Sequence, residues 1–575
     1  MWTQRLDPLG MLALSAGAAS LPILFLFWAL AIRRMKGHWA ALGALAIALL
    51  VAVAIFRMPV ALALLSAAQG ACFGLFPIGW IVFSAVLLHT IMERTGQFDA
   101  LKSSISDLTT DTRIQAVLVA FSFGALIEAC AGFGAPVAIS AGILAALGVP
   151  LIDAAVLCLV ANTAPVAFGA IGIPIITAAA VSGIDAMSIS QMVGRQLPVL
   201  SVIVPFYVVG IMAGRRGIRE TWSVCLIAGL SFAVTQWWTS NYLGPTLPDI
   251  LSALASMIAI VAWLAWKRRA APGDPERQSR ARVLFAWSPF LIVCVLMIVW
   301  ALPDVKKLLD EATVIVKVPW LNDAVVSPST GQPIKAAYTV NLLSAAGSAL
   351  FLSCIITAIS QGFRGAVLWS LYVETMKKMR YPLITVAALL AYAYLGNASG
   401  MTVTLGTFIA GTGMLFPLFA PLLGWIGVFI TGSDTSSNAI FGKLQAVTAE
   451  KIGINPVLTV ASNASGGVAG KMVSPQSIAV AAAATGLVGQ EAVLFRRTIK
   501  HSLILVSVVM VLTFMQSNIL SWMVPIASAT KQTAAGDAHA VRAAIVLTGG
   551  LLAALSIAFA SRSRARTADR SASAD

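Results

Sequence analysis

Two polar, glycine-rich stretches interrupt long apolar runs of this chain, and each contains a single carboxylate. The first, GALIEACAGFGAPVAIS, contains Glu128, and the second, FITGSDTSSNAIFGKLQ, contains Asp434. Because a bilayer core offers no water to a free backbone, irregular backbone is tolerated there only where it is buried in protein or lines a cavity. An ionisable side chain at that depth usually marks a substrate or ion pathway. Such interruptions, one in each half of a chain, indicate the binding site of a secondary transporter.

The composition supports a membrane environment for these interruptions. Hydrophobic residues make up 59% of the 575 residues, charged residues make up only 11%, and the mean hydropathy is +0.89. Soluble domains contain about a quarter charged residues. Since one crossing needs about 20 apolar residues, we expect an all-α polytopic membrane protein with about 11–13 transmembrane helices.

The net charge of +15 comes from clusters of Lys and Arg between the apolar runs. This distribution is typical of membrane topology rather than of a nucleic-acid-binding surface. Basic clusters at 33–36, 215–219 and 496–500 predict cytoplasmic loops, whereas the segments 303–338 and 527–539 are nearly charge-balanced. The pattern predicts an outside N-terminus, a cytoplasmic C-terminus and therefore an odd number of crossings.

The chain divides into two similar halves around a charged break. Residues 1–266 and 283–561 are the predicted transmembrane halves, with a cytoplasmic linker at 267–282 and a disordered cytoplasmic tail at 562–575. In each half a carboxylate is followed by a Gly/Pro turn, an apolar span and an Asn-led break. These features fall at about 124–175 in the first half and about 396–480 in the second. The order predicts inverted repeats with broken helices or re-entrant hairpins at the membrane midplane.

Glu128 and Asp434 are the candidates for proton coupling, because coupling requires a group whose affinity for H⁺ changes with exposure and occupancy. The alternative is a structural ion pair or a helix cap, which an intramembrane position disfavours. Lys443 and Lys471 are candidates for holding an anion, and an interfacial anchor is the equal alternative for each.

A small polar anion would bind through helix N-termini, accessible backbone N–H groups, hydroxyls and amides. The broken stretches supply such groups at these candidate substrate-binding residues: Asn162, Thr163, Asn397, Ser399, Ser433, Thr435, Ser436, Asn438, Asn463, Ser465, Gly466 and Gly467. Asparagines at helix breaks can equally satisfy freed backbone groups, and the glycines can serve only to shape the backbone.

Other chemistries have little support in the sequence. The chain contains no Walker motif, no GxSxG and no HExxH, which argues against ATP hydrolysis and hydrolytic catalysis. Its four histidines are scattered, and its six cysteines show no CxxC spacing. We therefore expect no enzyme activity, no metal site and no cofactor.

Four segments resemble signature segments of the L-lactate permease family, which also contains glycolate permeases: EACAGFGAPVAI, NTAPVAFGAIGIPI, TGSDTSSNAIFGKLQ and SNASGGVAGKMVSPQSIAVA. The resemblance extends from about Pro59 to the final apolar run. It implies a carrier of the bacterial inner membrane, built from inverted repeats with hairpins, that moves a small 2-hydroxymonocarboxylate with protons. The chain departs from the family pattern at Thr246, where an acidic residue is commoner, although Asp249 lies nearby.

The leading hypothesis is a proton symporter, driven by the proton gradient, that imports L-lactate and related acids such as glycolate. A Na⁺-coupled carboxylate transporter is the alternative within the same class, because Asn and Ser oxygens and unwound carbonyls also coordinate Na⁺. A membrane-embedded enzyme is the alternative from another class, and it would need a nucleophile–base pair or a metal cluster.

Overall fold

A computed structural model describes residues 1–33, 35–97, 109–130, 135–268, 280–328, 331–487 and 490–525. Within these ranges the chain is predominantly helical. Most of the predicted linker lies outside the described residues, as do the final apolar run and the predicted tail.

Helices form along nearly all of the described apolar runs, as the composition predicts. In chain order they are α1 (Leu12–Phe27), α2 (Gly37–Ala54), α3 (Val60–Phe73), α4 (Trp80–Arg94), α5 (Thr112–Ala116), α6 (Gly124–Cys130), α7 (Ala135–Ala146), α8 (Leu151–Ala161), α9 (Gly169–Ser182), α10 (Ala186–Tyr242), α11 (Pro248–Arg268), α12 (Arg280–Ala301), α13 (Pro303–Asp310), α14 (Ala346–Ser360), α15 (Gly365–Ser399), α16 (Met401–Ile409), α17 (Phe416–Thr431), α18 (Asp434–Lys451), α19 (Pro456–Lys471), α20 (Pro475–Thr485) and α21 (Glu491–Ser517). A π-helical stretch, Val117–Phe123, joins α5 to α6.

Short strands connect the N-terminus to the segment between α13 and α14. They are β1 (Trp2–Thr3), β2 (Val314–Lys317), β3 (Val325–Val326) and β4 (Ala337–Val340). β1 pairs in parallel with β3, and β2 pairs antiparallel with β4. The N-terminus and this segment therefore lie on the same side of the molecule, in keeping with the charge pattern, which assigns both to one side of the membrane.

In the described part of the chain, nine helical segments are long and apolar enough to cross a membrane, or up to ten with the bent pair α8–α9. The longest, α10, has 57 residues, and it would extend about 85 Å if straight, against a hydrocarbon core of about 30 Å. It instead folds back at Gly214, so that Ser201 Oγ donates to Gln236 Oε1 at 2.8 Å. α10 therefore supplies two antiparallel arms, and the all-α polytopic prediction is confirmed.

Both carboxylate-bearing stretches lie at helix ends. Glu128 is two residues from the end of α6, and residues 131–134 are outside the described part of the chain. In the second half, Gly432 separates α17 from α18 with a φ of 70°, a conformation that favours glycine, and Asp434 begins α18. The prediction of broken helices is also confirmed between α8 and α9, which are bent by 64°.

The helices that follow the breaks pack across the two halves in a reciprocal way. α9 of the first half packs against α18 of the second, and α20 of the second half packs against α7 of the first. One buried apolar core contains residues of both halves. The two halves therefore share one core and do not form separately packed units.

The Asn-led break that the sequence predicts in the second half would begin at Asn463. This prediction is wrong, because α19 is continuous from its first residue to Lys471. The N–H groups of Gly466 and Gly467 thus lie within a helix, where they are not free to bind an anion. A β-carbon on Gly466 would lie 2.1 Å from the carbonyl oxygen of Pro421, so a small residue is needed where α19 crosses α17. The break in this half follows Lys471, before α20.

Candidate functional site

Glu128 is buried near the end of α6, with only 2% exposed, and both of its carboxylate oxygens accept hydrogen bonds. Oε1 accepts from Lys471 Nζ at 2.5 Å, and Oε2 accepts from Asn162 Nδ2 at 3.2 Å. Asn162 directly follows α8, and Lys471 is the last residue of α19. Asn162 of the first half and Lys471 of the second, which both lie at helix ends, therefore donate to the same carboxylate.

The ion pair between Lys471 and Glu128 joins the two halves inside the apolar interior. The side chains are 8% and 3% exposed. Removing one partner of such a pair typically costs about 3–5 kcal/mol, because the other charge stays buried without compensation. An ammonium held at this position needs an anion, and either Glu128 or a bound carboxylate can supply it.

Asp434 is 3% exposed and begins a chain of buried amides. Asn438 Nδ2 donates to Asp434 Oδ2 at 3.4 Å and to the carbonyl of Pro174 at 3.2 Å. Asn463 Nδ2 donates to Asn438 Oδ1 at 2.9 Å, and Gln445 Nε2 donates to Asn463 Oδ1 at 3.1 Å. Because Pro174 belongs to α9, this network ties α18 and α19 to the broken helix of the first half.

Two glycines provide the space that these carboxylates occupy. A β-carbon on Gly169 would lie 2.7 Å from Glu128 Oε1, and one on Gly467 would lie 2.2 Å from Asp434 Oδ1. Both distances are far inside van der Waals contact, which is about 3.5 Å or more between carbon atoms. A larger residue at either position would displace the carboxylate.

The structure adds a third buried carboxylate, which the sequence reasoning did not select. Asp249, the second residue of α11, is 1% exposed, and neither carboxylate oxygen has a hydrogen-bond partner among the described residues. It is near enough to Glu128 and Lys471 for their charges to interact. The signal was available in the sequence, because Asp249 is a lone carboxylate at the start of an apolar run.

Some predicted residues retain buried oxygens that no described group satisfies. These are Asp434 Oδ1, Asn162 Oδ1, Thr163 Oγ1 and Ser465 Oγ. Since buried polar atoms are nearly always hydrogen-bonded, each of these oxygens requires an explanation such as a ligand or a water molecule.

Lys443 and Asn397 contact the end of α9 instead of the carboxylates. Lys443 Nζ donates to the carbonyl of Ser182 at 3.0 Å, and Asn397 Nδ2 donates to the carbonyl of Val181 at 3.1 Å. Both side chains thus satisfy carbonyls in the last turn of a helix, which otherwise lack intrahelical partners.

The remaining predicted residues have local contacts. Ser433 caps α18 by accepting the N–H of Ser436 at 3.2 Å, and Ser399 Oγ donates to a carbonyl of its own helix at 3.3 Å. Ser436 is buried and Thr435 is half-buried, both in the first turn of α18 beside Asp434.

Glu128, Asp249 and Asp434 all interact electrostatically with the same lysine, Lys471. Three ionised carboxylates around one ammonium would leave two uncompensated negative charges in the apolar interior, which is strongly unfavourable. Protonation of two of the three carboxyl groups removes this excess. Across the described ranges, no three His, Cys, Asp or Glu side chains are grouped so that they could hold a metal ion.

The apolar spans, the broken helices and the buried ion pair define a multi-pass membrane protein with its polar centre where the two halves meet. A family model described as L-lactate permease matches residues 15–520. The chain belongs to the L-lactate permease family. Membership of a permease family implies a transporter rather than an enzyme.

Individual relatives are similar over nearly their whole length. The L-lactate permease of Bacillus subtilis (strain 168) is 50% identical over 91% of this chain and 100% of its own length. The glycolate permease GlcA of Escherichia coli (strain K12) is 45% identical over 91% of this chain and 99% of its own. The L-lactate permease of the same strain is also 45% identical, over 91% and 100%. A solved structure, the YdaH transporter of Alcanivorax borkumensis, aligns with a TM-score of 0.45 and 14% identity, over 80% of this chain and 89% of that one.

Proposed function

We propose that the chain is a secondary active transporter that imports L-lactate and related small 2-hydroxymonocarboxylates, such as glycolate, together with protons. Relatives named as L-lactate and glycolate permeases support this substrate class. Both acids carry a carboxylate beside a hydroxyl. The proton gradient is the energy source, and no cofactor takes part. In this proposal the protein lies in the bacterial inner membrane with its N-terminus outside and its C-terminus in the cytoplasm.

The observation that carries the proposal is the buried ion pair of Lys471 with Glu128. A substrate carboxylate entering the site competes with Glu128 for the same ammonium. Once Lys471 has turned to the substrate, an ionised Glu128 would be a buried charge without a partner, so it takes up a proton. One anion therefore enters with one proton.

The surrounding polar atoms suit the rest of a 2-hydroxy acid. The unsatisfied oxygens of Asn162 and Ser465 can accept the hydrogen bond that the substrate hydroxyl donates. Asn438, which donates to Asp434, also donates to the carbonyl of Pro174 and so holds α18 against α9. Asp434 is the second candidate for proton coupling.

The test is uptake of labelled L-lactate by proteoliposomes that contain the full-length chain. A pH gradient and a Na⁺ gradient are imposed separately, with unlabelled glycolate as competitor. We expect accumulation with the pH gradient alone and competition by glycolate. Accumulation driven only by Na⁺ would establish the Na⁺-coupled alternative, and uptake that merely equilibrates under both gradients would contradict secondary active transport.

A further inference from the structure

A buried carboxyl group without a hydrogen-bond partner is rare in proteins, and it suggests a functional role for that group. Asp249 is 1% exposed and unpartnered within the described residues. It lies on α11, which packs against α6, the helix that carries Glu128. An ionised carboxylate left in this state would be very unfavourable, whereas a protonated one is far less so.

The segment before Asp249 is fixed against the broken helix of the first half. A β-carbon on Gly172 would lie 2.2 Å from the carbonyl oxygen of Pro245. Next to Gly172, Ala170 and Ile171 have φ values of 44° and 60°, which non-glycine residues rarely adopt and which occur mostly where function requires them. The residue four positions before Asp249 is thus held beside the first turn of α9.

The charged groups that reach Asp249 from the neighbouring described elements are Glu128 on α6 and Lys471 on α19. In the proposed symport the substrate carboxylate replaces Glu128 as the partner of Lys471. A proton held on Asp249 is therefore within electrostatic range of the carboxylate that needs one when the anion binds.

We propose that Asp249 is a proton relay: it is protonated while Lys471 is paired with Glu128, and it transfers its proton to Glu128 when the substrate takes Lys471. The O–H bond of Asp249 breaks and an O–H bond forms on Glu128, through intervening water. Asp249 then regains a proton from the solution on the side from which the substrate entered. The net uptake is still one proton per anion, so this inference rests on the proposed symport and adds a second residue to it.

The test compares two transport modes of the Asp249→Asn variant in proteoliposomes. Net uptake of labelled L-lactate driven by a pH gradient requires the relay, because Glu128 must gain a new proton in every cycle. Exchange of external for internal lactate at equal pH does not require it, because Glu128 keeps its proton while one anion replaces another. We expect net uptake to fall by about a hundredfold, the lower range of what a positioned proton-transfer group contributes. Exchange is expected to stay within about twofold, the size of effect seen for substitutions without a structural role.

Two further variants separate a relay from a structural residue. Asp249→Glu keeps a carboxyl group, so it should restore net uptake and shift the midpoint of its dependence on external pH. Asp153→Asn is the matched control, because Asp153 also lies at a helix start but is 41% exposed and interacts with Arg497 at 3.7 Å. Both transport modes of this control should match the unmodified protein.

Net uptake by Asp249→Asn within about twofold of the unmodified protein would overturn the relay. Loss of exchange together with net uptake would also overturn it, since a relay is not needed for exchange. If Asp249→Asn does not fold, an unshifted pH midpoint in Asp249→Glu would contradict the proposal. Failure of the symport itself is distinguishable, because the unmodified protein would then not respond to the pH gradient.

Discussion

At the scale of single residues, the centre of the molecule is one buried lysine surrounded by carboxyl groups. Lys471 contacts Glu128 at 2.5 Å, while Lys443, 28 positions earlier, donates to a helix carbonyl and forms no ion pair with a described residue. The two lysines therefore form a useful pair for experiment, because Lys471 is buried against a carboxylate whereas Lys443 is half-buried against a backbone carbonyl.

We predict that Lys471→Met weakens L-lactate binding by at least about tenfold, which corresponds to a loss of about 1.4 kcal/mol. Lys471→Arg should rescue binding poorly, because the planar guanidinium is larger and differs in shape from an ammonium. Calorimetry on purified protein measures both, with Lys443→Met as the control that retains affinity. Binding by Lys471→Met equal to that of the unmodified protein would show that the helix ends alone hold the anion.

We predict that Glu128→Gln abolishes accumulation of lactate against its gradient but leaves lactate exchange intact. Glutamine cannot take up the coupling proton, yet it frees Lys471 for the substrate. Uptake with and without a pH gradient measures both modes, and Glu450→Gln on the exposed end of α18 is the control. Full pH-driven accumulation by Glu128→Gln would remove this residue from the coupling mechanism.

At the scale of elements, helices approach one another where small residues allow it. Gly467 of α19 faces Asp434, and Gly466 faces the backbone of α17. Close approach of this kind is common between transmembrane helices, because without a hydrophobic driving force their association depends on tight packing. The same glycines that suggest an unwound backbone in the sequence therefore serve as the contact surface of an intact helix.

We predict that Gly467→Ala destabilises the protein by about 1–3 kcal/mol, because the new methyl group would overlap Asp434 Oδ1. Gly142→Ala on α7 is the control, since no described atom outside the nearby backbone of its own helix lies within 4 Å of the added carbon, and alanine favours a helix by about 1 kcal/mol. The midpoint temperature of thermal unfolding in detergent should therefore fall for Gly467→Ala and rise for Gly142→Ala. An unchanged midpoint for Gly467→Ala would mean that Asp434 is free to move aside.

The N-terminus of α5, which precedes its membrane segment, gives a prediction on pH. Asp111 caps this helix, and hydrogen bonds from the Arg113 side chain hold the pKa of Asp111 below its ordinary value of 3.8. The ionised carboxylate therefore stabilises the fold above that value, and the contribution is lost as the pH falls below it. We expect Asp111→Ala to cost about 1 kcal/mol at neutral pH. The difference from the unmodified protein in thermal unfolding should shrink below about pH 4; a constant difference would contradict the assignment.

At the scale of the whole molecule, each half supplies a helix that the other half needs. α9 packs against α18, and α20 packs against α7, so the two halves exchange helices in the way that the protomers of a domain-swapped dimer do. We predict that fragments 1–274 and 275–575 are each insoluble in mild detergent when expressed alone and co-purify when expressed together. Size-exclusion chromatography measures this, and a well-behaved single fragment would contradict the interlocked arrangement.

The sequence predicts the class, the broken helices and the buried carboxylates Glu128 and Asp434, because each depends on one local rule about polar groups in a bilayer. The role of these carboxylates in proton coupling remains a proposal. The sequence does not distinguish a helix break from a close crossing of two helices, because small residues are typical of both. For this reason the predicted break at Asn463 is wrong. The sequence also cannot pair residues that are far apart. The contact of Lys471 with Glu128 spans 343 positions, and Asp249 becomes relevant only once α11 is packed against α6.

The single lysine among three carboxyl groups has an electrical consequence. In the proposed symport, with Asp249 and Asp434 protonated, the centre carries no net charge when Lys471 is paired to Glu128. It again carries none when Lys471 is paired to a substrate anion and Glu128 is protonated. We therefore expect both forms of the proposed carrier to change their access from one side of the membrane to the other without moving charge, so that voltage neither drives nor opposes the cycle. The highest concentration ratio that such a carrier can sustain is set by acidity alone, at about tenfold for each unit of pH difference.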